Sequence, residues 1–193
     1  MSEVTLTFAE NARDLNGVLA LQKLNYKSNV NPEEAQKQGF VSILHTYELL
    51  AAMNADYPHV IGRSEGRVIA YALVMLRKFG DKIPVLLPMF ARLNDLTFQG
   101  KRIGDSRYFI MGQICIAKNF RGRGLFYRLY ENLVHSTCKD FDFILTEVSA
   151  RNRRSLRAHK KAGFIELKVY TAPDGEVWHI VLLDIRESNI KKI

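Results

Sequence analysis

The run Arg121-Gly122-Arg123-Gly124 has residue types and a spacing that suit the binding of a diphosphate. It lies between a predicted buried strand and a predicted helix, whose first N–H groups have no partners within the helix and carry a partial positive charge. Glycine lets main-chain N–H groups approach an anion closely, and the two arginines can add charge-assisted hydrogen bonds. Arginine-rich turns also bind RNA, so a nucleic acid stays open as the alternative anion.

A second basic segment begins at Asn152 and ends with the pair Gly163-Phe164. The asparagine can cap a short helix, and Gly163 can end that helix in the C-cap role. His159 lies five residues before Phe164 on the same predicted helix. Asn152 is explained equally well as a helix cap and as a residue that orients a ligand, and both interpretations stay open.

These two segments resemble motifs of the GNAT superfamily of N-acyltransferases. The signature of the acyl-CoA binding motif is Arg/Gln-x-x-Gly-x-Gly/Ala. Arg121 matches its first position and Gly124 its fourth, while Phe126 stands at the sixth, where the family usually has Gly or Ala. In the later motif a tyrosine usually stands five residues before the Phe of a Gly-Phe pair, and His159 holds that position here. The two motifs and the strand between them span residues 107–164.

The resemblance implies a fold, a co-substrate and a reaction. The fold is α/β (α+β), with a mixed, mostly antiparallel central sheet that is splayed between its fourth and fifth strands and flanked by helices on both faces. Acetyl-CoA is the co-substrate, and its acetyl group passes to a primary amine of a small-molecule or peptide acceptor by direct attack in a ternary complex. No metal is required. The resemblance places co-substrate binding at Ile114, Cys115, Ile116, Arg121, Gly122, Arg123, Gly124, Leu125, Phe126, Asn152 and Ser155.

Acyl transfer from a thioester to an amine requires a neutral amine, a stabilised oxyanion and a protonated leaving thiol. A lysine-like ammonium has a pKa of about 10.4, so a base is expected to remove its proton near pH 7. Glu147 lies near the end of the strand predicted at 141–150 and next to the co-substrate motifs, which makes it the candidate base. A solvated charge at the strand end and a partner for nearby arginines are its alternatives. For the oxyanion, the resemblance implies main-chain N–H groups around Ile114–Ile116.

His159 is the candidate proton donor to the departing thiolate. A phenol with a pKa of about 10 stays protonated at pH 7, whereas an imidazole with a pKa of about 6.5 is mostly neutral. Neighbouring arginines are expected to lower that pKa further, so His159 would act as a neutral N–H donor. The alternative is a half-buried helix residue that packs on Leu156.

Hydrophobic periodicity predicts the elements that position these residues. A short strand at 3–8 precedes an amphipathic helix at 11–25, and further helices begin near Asn31 and Thr46. The period then changes to two over a β-hairpin that begins at His59. The first third of the chain is therefore expected to consist of one short strand followed by helices.

The second half alternates strands and helices after an insertion at 78–106, which either lines a pocket or packs as a lid over the core. Residues 107–117 predict a buried central strand whose internal glycine suggests a bulge. The helix that follows has two adjacent rows of apolar side chains, which are expected to be buried. After it the pattern predicts a strand, a helix and a final hairpin around Pro173-Asp174-Gly175. The order β-α-α-β-β followed by β-α-β-α-β-β favours a sheet between helices. The rows are Leu125/Leu129/Leu133 and Phe126/Tyr130/Val134.

The composition predicts one globular domain over residues 1–193, with 47% hydrophobic and 25% charged residues. Cys115 and Cys138 have no second ligand at metal-binding spacing, which argues against a disulfide framework and a zinc site. The start of the chain lacks a basic and then apolar leader, so we expect a cytoplasmic protein without membrane association.

The formal charge of +8 favours an anionic partner. Residues 118–128 and 151–161 together carry ten of the 28 cations and no carboxylate. A nucleic-acid-binding module is less favoured than an acetyltransferase, because the arginines flank a buried helix pattern without exposed aromatic platforms. A catalytically silent acyl-CoA sensor on the same fold is the other alternative. The sequence is compatible with a homodimer and does not determine the oligomeric state.

Overall fold

The helices of the first third begin at caps that the sequence predicts. In the computed structural model, which describes residues 2–186, these helices are α1 (Ala12–Asn25), α2 (Pro32–Gln38) and α3 (Tyr47–Asp56). The Asn11 side chain accepts a hydrogen bond from the backbone N–H of Asp14 at 3.2 Å, and Asn31 and Thr46 accept equivalent bonds. Asn31 opens a helix of its own, as its cap pattern predicts, so three helices separate the first two strands where the predicted order β-α-α-β-β has two.

The described chain divides into two compact units, each built from two segments. The first unit contains the chain up to Met75 together with Met111–Ser136, and the second contains Leu76–Ile110 together with the described residues from Thr137 onward. Strand β6 (Tyr108–Ile116) therefore begins in the second unit and ends in the first. That the whole chain is one domain stays a prediction.

The first unit contains an antiparallel arrangement of three strands: β1 (Thr5–Phe8), β2 (Val60–Ser64) and β3 (Arg67–Met75). Glu65 and Gly66 connect β2 to β3 with φ angles of 50° and 73°, which confirms the predicted hairpin. The end of β6 lies beside β3, where the N–H of Ala117 donates to the carbonyl of Ile69 at 2.8 Å. Gly112 within β6 allows a close approach, since an added Cβ would lie 3.3 Å from the Cβ of Met75.

The second unit contains the start of β6 and three further strands: β7 (Phe143–Ser149), β8 (Ile165–Thr171) and β9 (Val177–Asp184). β7 is parallel to β6 and antiparallel to β9, and β8 pairs with the other edge of β9. The strand order along the hydrogen bonds is β1-β2-β3-β6-β7-β9-β8. The mixed, mostly antiparallel sheet flanked by helices confirms the predicted fold class.

The parallel ladder between β6 and β7, the fourth and fifth strands of this sheet, is short. It joins Tyr108–Ile110 to Phe143–Leu145 and then stops, although β7 continues to Ser149. Beyond Leu145, β7 keeps its antiparallel pairing with β9 as far as Ser149. The early end of this ladder is what the expected splay between the fourth and fifth strands requires.

The insertion predicted at 78–106 folds into short pieces rather than into one long element. Two short 3-10 helices precede α4 (Leu87–Leu93). A small hairpin follows it, and its strands β4 (Thr97–Phe98) and β5 (Lys101–Arg102) have two residues each. Much of its apolar surface is packed inside the second unit, as the lid interpretation expects, although Val85 and Leu87 are exposed; the buried side chains include Ile83, Leu86, Met89, Leu93 and Ile103.

Helix α5 (Leu125–Thr137) follows the glycine turn of the first unit. Leu129, Tyr130 and Leu133 are fully buried, and Leu125 and Val134 nearly so, which confirms the predicted face of this helix apart from a half-buried Phe126. Among residues 2–186, no helix has the length and apolar character needed to cross a bilayer.

Candidate active site

The glycine turn of the first unit has an open main chain. Gly122 and Gly124 adopt φ angles of 78° and 72°, a region that favours glycine, and a Cβ added at either position would meet nothing within 4 Å. None of the described residues accepts a hydrogen bond from the backbone N–H groups of Gly122, Arg123, Gly124 or Leu125. Four donors next to a helix start in an uncrowded turn fit a diphosphate.

Arg121 braces this turn instead of extending into solvent. Its Nε donates to the carbonyl of Ile116 at 2.9 Å, and its Nη2 donates to Oδ1 of Asn25 at 2.5 Å. Asn25, the last residue of α1, is itself buried and donates to the carbonyl of Leu21 at 2.9 Å. Most of the donors expected to contact phosphate are therefore used to tie the turn to β6 and α1.

Arg123 is the exposed cation of the turn. Its guanidinium lies 5.0 Å from the centre of the Phe120 ring, which is within the range of a cation–π contact. Lys118, just before the turn, is paired at 2.9 Å with Glu34 of α2. Of these two cations, Arg123 keeps its charge at the surface beside Gly122 and Gly124 without a carboxylate partner among the described residues.

At the start of α5, main-chain groups are more available to a ligand than side-chain groups. Leu125 is buried, so only its N–H remains for a ligand. Phe126 is half-buried, with its ring edge-on to Tyr130 at 5.1 Å and to Tyr127 at 5.9 Å. The ring therefore packs along the flank of its own helix.

Cys115 lies near the end of β6, between the half-buried residues Ile114 and Ile116. Burial raises the pKa of its thiol to about 11, with Arg121 and Tyr71 acting in the opposite direction. A thiol with that pKa stays protonated at neutral pH and is a poor nucleophile. Cys115 is a core residue, as its apolar strand indicates.

Glu147 on β7 is the most unusual carboxyl group of the second unit. Its Oε2 accepts a hydrogen bond from the hydroxyl of Tyr170 at 2.6 Å. Its Oε1 is buried, and no residue in the described part of the chain donates to it. Burial raises the pKa of Glu147 to about 7, although the Tyr170 hydrogen bond and the charge of Arg92 both lower it. This carboxyl can gain and lose a proton near neutral pH, as a general base requires.

His159 is fully buried on α6 (Arg153–Lys161) and lies edge-on to Phe164 at 4.9 Å. Nδ1 lies 2.8 Å from the carbonyl oxygen of Ser155, which can only accept, so Nδ1 carries the proton and Nε2 a lone pair. Burial lowers the pKa of His159 to about 4. The predicted direction is confirmed, but the cause is burial and not the neighbouring arginines. The side chain is also fully buried rather than half-buried, and its ring contacts Phe164.

Asn152 and Ser155 are joined at the start of α6. Oδ1 of Asn152 accepts from the backbone N–H of Ser155 at 3.2 Å, which is the cap that the sequence predicts. The Ser155 hydroxyl lies 3.2 Å from Nδ1 of His159. The C-cap of the helix is Ala162 and not Gly163 as predicted; Gly163, with φ of 95°, is the residue directly after the cap.

Tyr170 and Arg92 are site residues that the sequence did not indicate. Tyr170 on β8 is opposite Trp178 of β9, whereas Glu147 on β7 is opposite Ile180 of β9. The tyrosine therefore reaches Glu147 past a whole intervening strand. The Arg92 guanidinium, on α4, lies 4.1 Å from the centre of the Tyr170 ring. Neither contact has a sequence signal, because each depends on pairings set by the sheet and the insertion.

Within residues 2–186, no group of three His, Cys, Asp or Glu side chains is arranged to hold a metal ion. Cys115 is buried in the first unit and Cys138 is exposed in the second, and no disulfide joins them.

Buried neutral histidines make the stability depend on pH. Burial lowers the pKa of His45 and His159 to about 4 and that of His59 to about 3. Each unfolded histidine binds a proton near pH 6.5, so stability is complete above that pH and falls as the pH drops below it. The raised pKa of Glu147 acts in the opposite direction. We expect a net loss of about 4 kcal/mol in the free energy of unfolding between pH 7 and pH 5.

Urea unfolding followed by circular dichroism at the two pH values measures this loss. Replacement of exposed His135 by Gln is the matched control for the loss of a histidine side chain. Equal unfolding free energies at pH 7 and pH 5 would contradict the assignment of buried neutral histidines.

The fold and the glycine turn together define the class of protein. The interrupted parallel ladder of the sheet and the open main-chain turn before α5 agree with what the resemblance to N-acyltransferases implies. The chain belongs to the acetyltransferase (GNAT) family, whose sequence model matches residues 23–164. Members of this family use acetyl-CoA as co-substrate for acetyl transfer. No curated protein matches the chain in sequence.

Solved structures share the fold at low sequence identity. The ribosomal-protein-S18-alanine N-acetyltransferase from Escherichia coli is 15% identical with a TM-score of 0.62, and the match covers 99% of each chain. An N-acetyltransferase from Staphylococcus aureus Mu50 is 16% identical with a TM-score of 0.61, over 96% of this chain and 100% of the other. The NatC complex bound to Gag peptide and CoA contains a chain that is 12% identical with a TM-score of 0.63, over 94% and 98%.

Proposed function

We propose that this protein is an N-acetyltransferase that transfers the acetyl group of acetyl-CoA to a primary amine by direct attack in a ternary complex. The observation that carries the proposal is Glu147. A buried carboxyl with a pKa of about 7 and one oxygen without a described partner suits the removal of a proton from an ammonium ion. Family membership supports the acetyl donor.

The first unit contributes co-substrate binding in this proposal. The N–H groups of Gly122, Arg123, Gly124 and Leu125 bind the diphosphate, and the Arg123 guanidinium adds a charge-assisted contact. Arg121 acts indirectly, because its hydrogen bonds to Ile116 and Asn25 fix the shape of the turn. The main-chain N–H groups around Ile114–Ile116 bind the oxyanion.

The second unit contributes proton transfer. An alkylammonium group with a pKa of about 10.4 transfers a proton from nitrogen to Oε1 of Glu147, which costs about 5 kcal/mol because the pKa of Glu147 is only about 7. The neutral amine then attacks the thioester carbonyl, a C–N bond forms, and the C–S bond breaks. The leaving sulfur takes a proton from Nε2 of His159, the second nitrogen proton returns to that histidine, and Glu147 returns the first to solvent, so amide, thiol and one proton are the products.

His159 is proposed to assist the leaving thiolate. Donation from Nε2 requires the tautomer in which the proton has left Nδ1, and the Ser155 hydroxyl, 3.2 Å away, then donates to Nδ1. In that tautomer the hydrogen bond from Nδ1 to the Ser155 carbonyl, 2.8 Å long, is lost. Asn152 supports the arrangement because it caps the turn that contains Ser155.

The acceptor is proposed to be a small molecule or a peptide with a primary amine. Among the similar structures, one protein acts on an alanine of a ribosomal protein and another was solved with a bound peptide, according to their names. Peptides with free N-termini therefore belong in the first set of acceptors, beside polyamines and amino sugars.

A thiol-release assay on the full-length protein tests the proposal. Acetyl-CoA is offered with each amine of the panel, free thiol is followed with a chromogenic reagent, and the acetylated product is identified by mass spectrometry. Thiol release that depends on both enzyme and amine is the expected result. If coenzyme A raises the melting temperature and no amine releases thiol, the protein is a silent sensor. RNA binding with a steep salt dependence and no affinity for acetyl-CoA would favour the nucleic-acid alternative.

A further inference from the structure

Two side chains of the second unit surround Glu147 in a way that its own strand does not determine. The Tyr170 hydroxyl donates to Oε2 of Glu147 at 2.6 Å. The Arg92 guanidinium covers the Tyr170 ring at 4.1 Å and is anchored by a hydrogen bond from Nη1 to the carbonyl of Pro88 at 2.7 Å. The carboxyl, the phenol and the guanidinium thus form a continuous series of contacts from β7 through β8 to α4.

The hydrogen bond makes the two carboxyl oxygens different. Oε2 is occupied by the phenol, whereas Oε1 is buried without a partner among the described residues. A proton that arrives at Glu147 therefore finds its acceptor at Oε1. The phenol can serve as a permanent donor, because burial and the neighbouring carboxylate both raise the pKa of Tyr170 above its ordinary value.

The cation over the ring strengthens this hydrogen bond. Positive charge on the face of a phenol withdraws electron density from the ring, which makes the hydroxyl a better donor to a carboxylate. The hydrogen bond and the charge of Arg92 both stabilise the ionised form of Glu147 against the opposing effect of burial. Without them the carboxyl would hold its proton at pH 7 and could not accept another.

Few other ionisable groups act on this carboxyl within the second unit. Ile180, its direct neighbour on β9, carries no charge. His159 of α6, a helix packed against β7, is neutral at pH 7 because burial lowers its pKa to about 4. Asp174, in the turn between β8 and β9, acts on Tyr170 and raises the pKa of the phenol. Arg92 is the cation that lowers the pKa of Glu147.

We propose that Tyr170 and Arg92 are positioning residues for the general base: the phenol holds Oε2 of Glu147 so that Oε1 receives the substrate proton, and Arg92 strengthens that hydrogen bond from the face of the ring. The proposal rests on the function proposed above for Glu147. It also gives the insertion a role, because α4 carries the arginine that acts on the base.

Titration of the Glu147 carboxyl tests the pair without any need for activity. Heteronuclear NMR of labelled glutamate carboxyl carbons follows the signal that disappears in Glu147→Gln. In the wild type the midpoint is expected at about 7. Tyr170→Phe and Arg92→Met should each raise the midpoint by about one pH unit. Arg92→Lys, which keeps the positive charge, should have a midpoint close to that of the wild type.

The same variants have a kinetic signature. A base with its pKa raised by about one unit is ionised about fivefold less at pH 7, so kcat falls about fivefold there and recovers at pH 9. Tyr108→Phe, which removes a buried hydroxyl without a described partner, and Arg102→Met, which breaks an exposed ion pair in the insertion, are the matched controls. Both controls should titrate like the wild type.

Coincident titration curves for Tyr170→Phe, Arg92→Met and the wild type would overturn the proposal, and so would a kcat that falls equally at every pH. If the carboxyl signal shifts as expected but even the wild type releases no thiol with any amine, the positioning pair stands and the proposed reaction is wrong. The two failures are therefore distinguishable.

Discussion

Glu147→Gln is expected to lower kcat by about 10²–10⁴-fold at pH 7, the range typical of a lost general base. The amide is close in shape to the carboxylic acid, and its NH₂ or carbonyl group can still meet the Tyr170 hydroxyl, so the packing of β7 against β9 is retained. What is lost is the ability of Oε1 to take a proton. The thiol-release assay with the best amine of the panel measures the effect.

The pH profile identifies the reason for the loss. In the wild type, kcat rises with pH as Glu147 loses its proton with a pKa of about 7. In Glu147→Gln this step is absent, and the residual rate continues to rise towards the pKa of the free amine at about 10.4. Glu166→Gln, an exposed change on β8, is the matched control and should keep the wild-type profile. A wild-type rate and profile in Glu147→Gln would remove Glu147 from the mechanism.

His159→Phe in the same assay separates the two proton-transfer candidates. If His159 donates to the thiolate, its loss slows kcat more than it weakens the affinity for acetyl-CoA. The shape of the pH profile near 7 should stay, since that feature belongs to Glu147. An unchanged kcat would leave His159 with the role its contacts already explain, which is to fill the space beside Phe164 and hold the Ser155 carbonyl.

Local signals account for the parts of the fold that the sequence predicts. The caps at Asn11, Asn31 and Thr46 depend on a side chain and an N–H group only three residues apart, so the pattern contains the whole interaction. The buried rows of α5 likewise follow from helical spacing alone. The glycine turn combines both kinds of signal, which is why its place between strand and helix could be predicted.

Contacts between distant segments explain what the sequence did not predict. Arg121 resembles a phosphate ligand in the motif, but its guanidinium is taken by Asn25, which lies at the end of a helix 96 residues earlier. Tyr170 meets Glu147 only because β9 separates β7 from β8 by one strand width. The burial of His159 depends in the same way on what packs over α6. No spacing rule contains these three contacts.

Gly124→Glu is expected to weaken the binding of acetyl-CoA by about 100-fold or more, which corresponds to about 3 kcal/mol. The side chain finds room, because nothing lies within 4 Å of the added Cβ. Its carboxylate, however, would stand beside the N–H groups proposed to bind the diphosphate, where it competes for the donors and repels the phosphate charges. Isothermal titration calorimetry on the purified full-length protein measures the loss.

Strain and charge are separated by two further variants. Gly124 has φ of 72°, so any side chain there costs about 1–2 kcal/mol of stability, and Gly124→Ala bears that cost without the charge. Gly175, with φ of 82° and equally open surroundings, lies in the turn between β8 and β9, and Gly175→Glu carries both strain and charge at a position outside the glycine turn. Gly124→Ala and Gly175→Glu should lose stability and keep most of their affinity. Undiminished binding by Gly124→Glu would show that the diphosphate does not lie at this turn, because a carboxylate among its donors and the phosphates cannot both be accommodated.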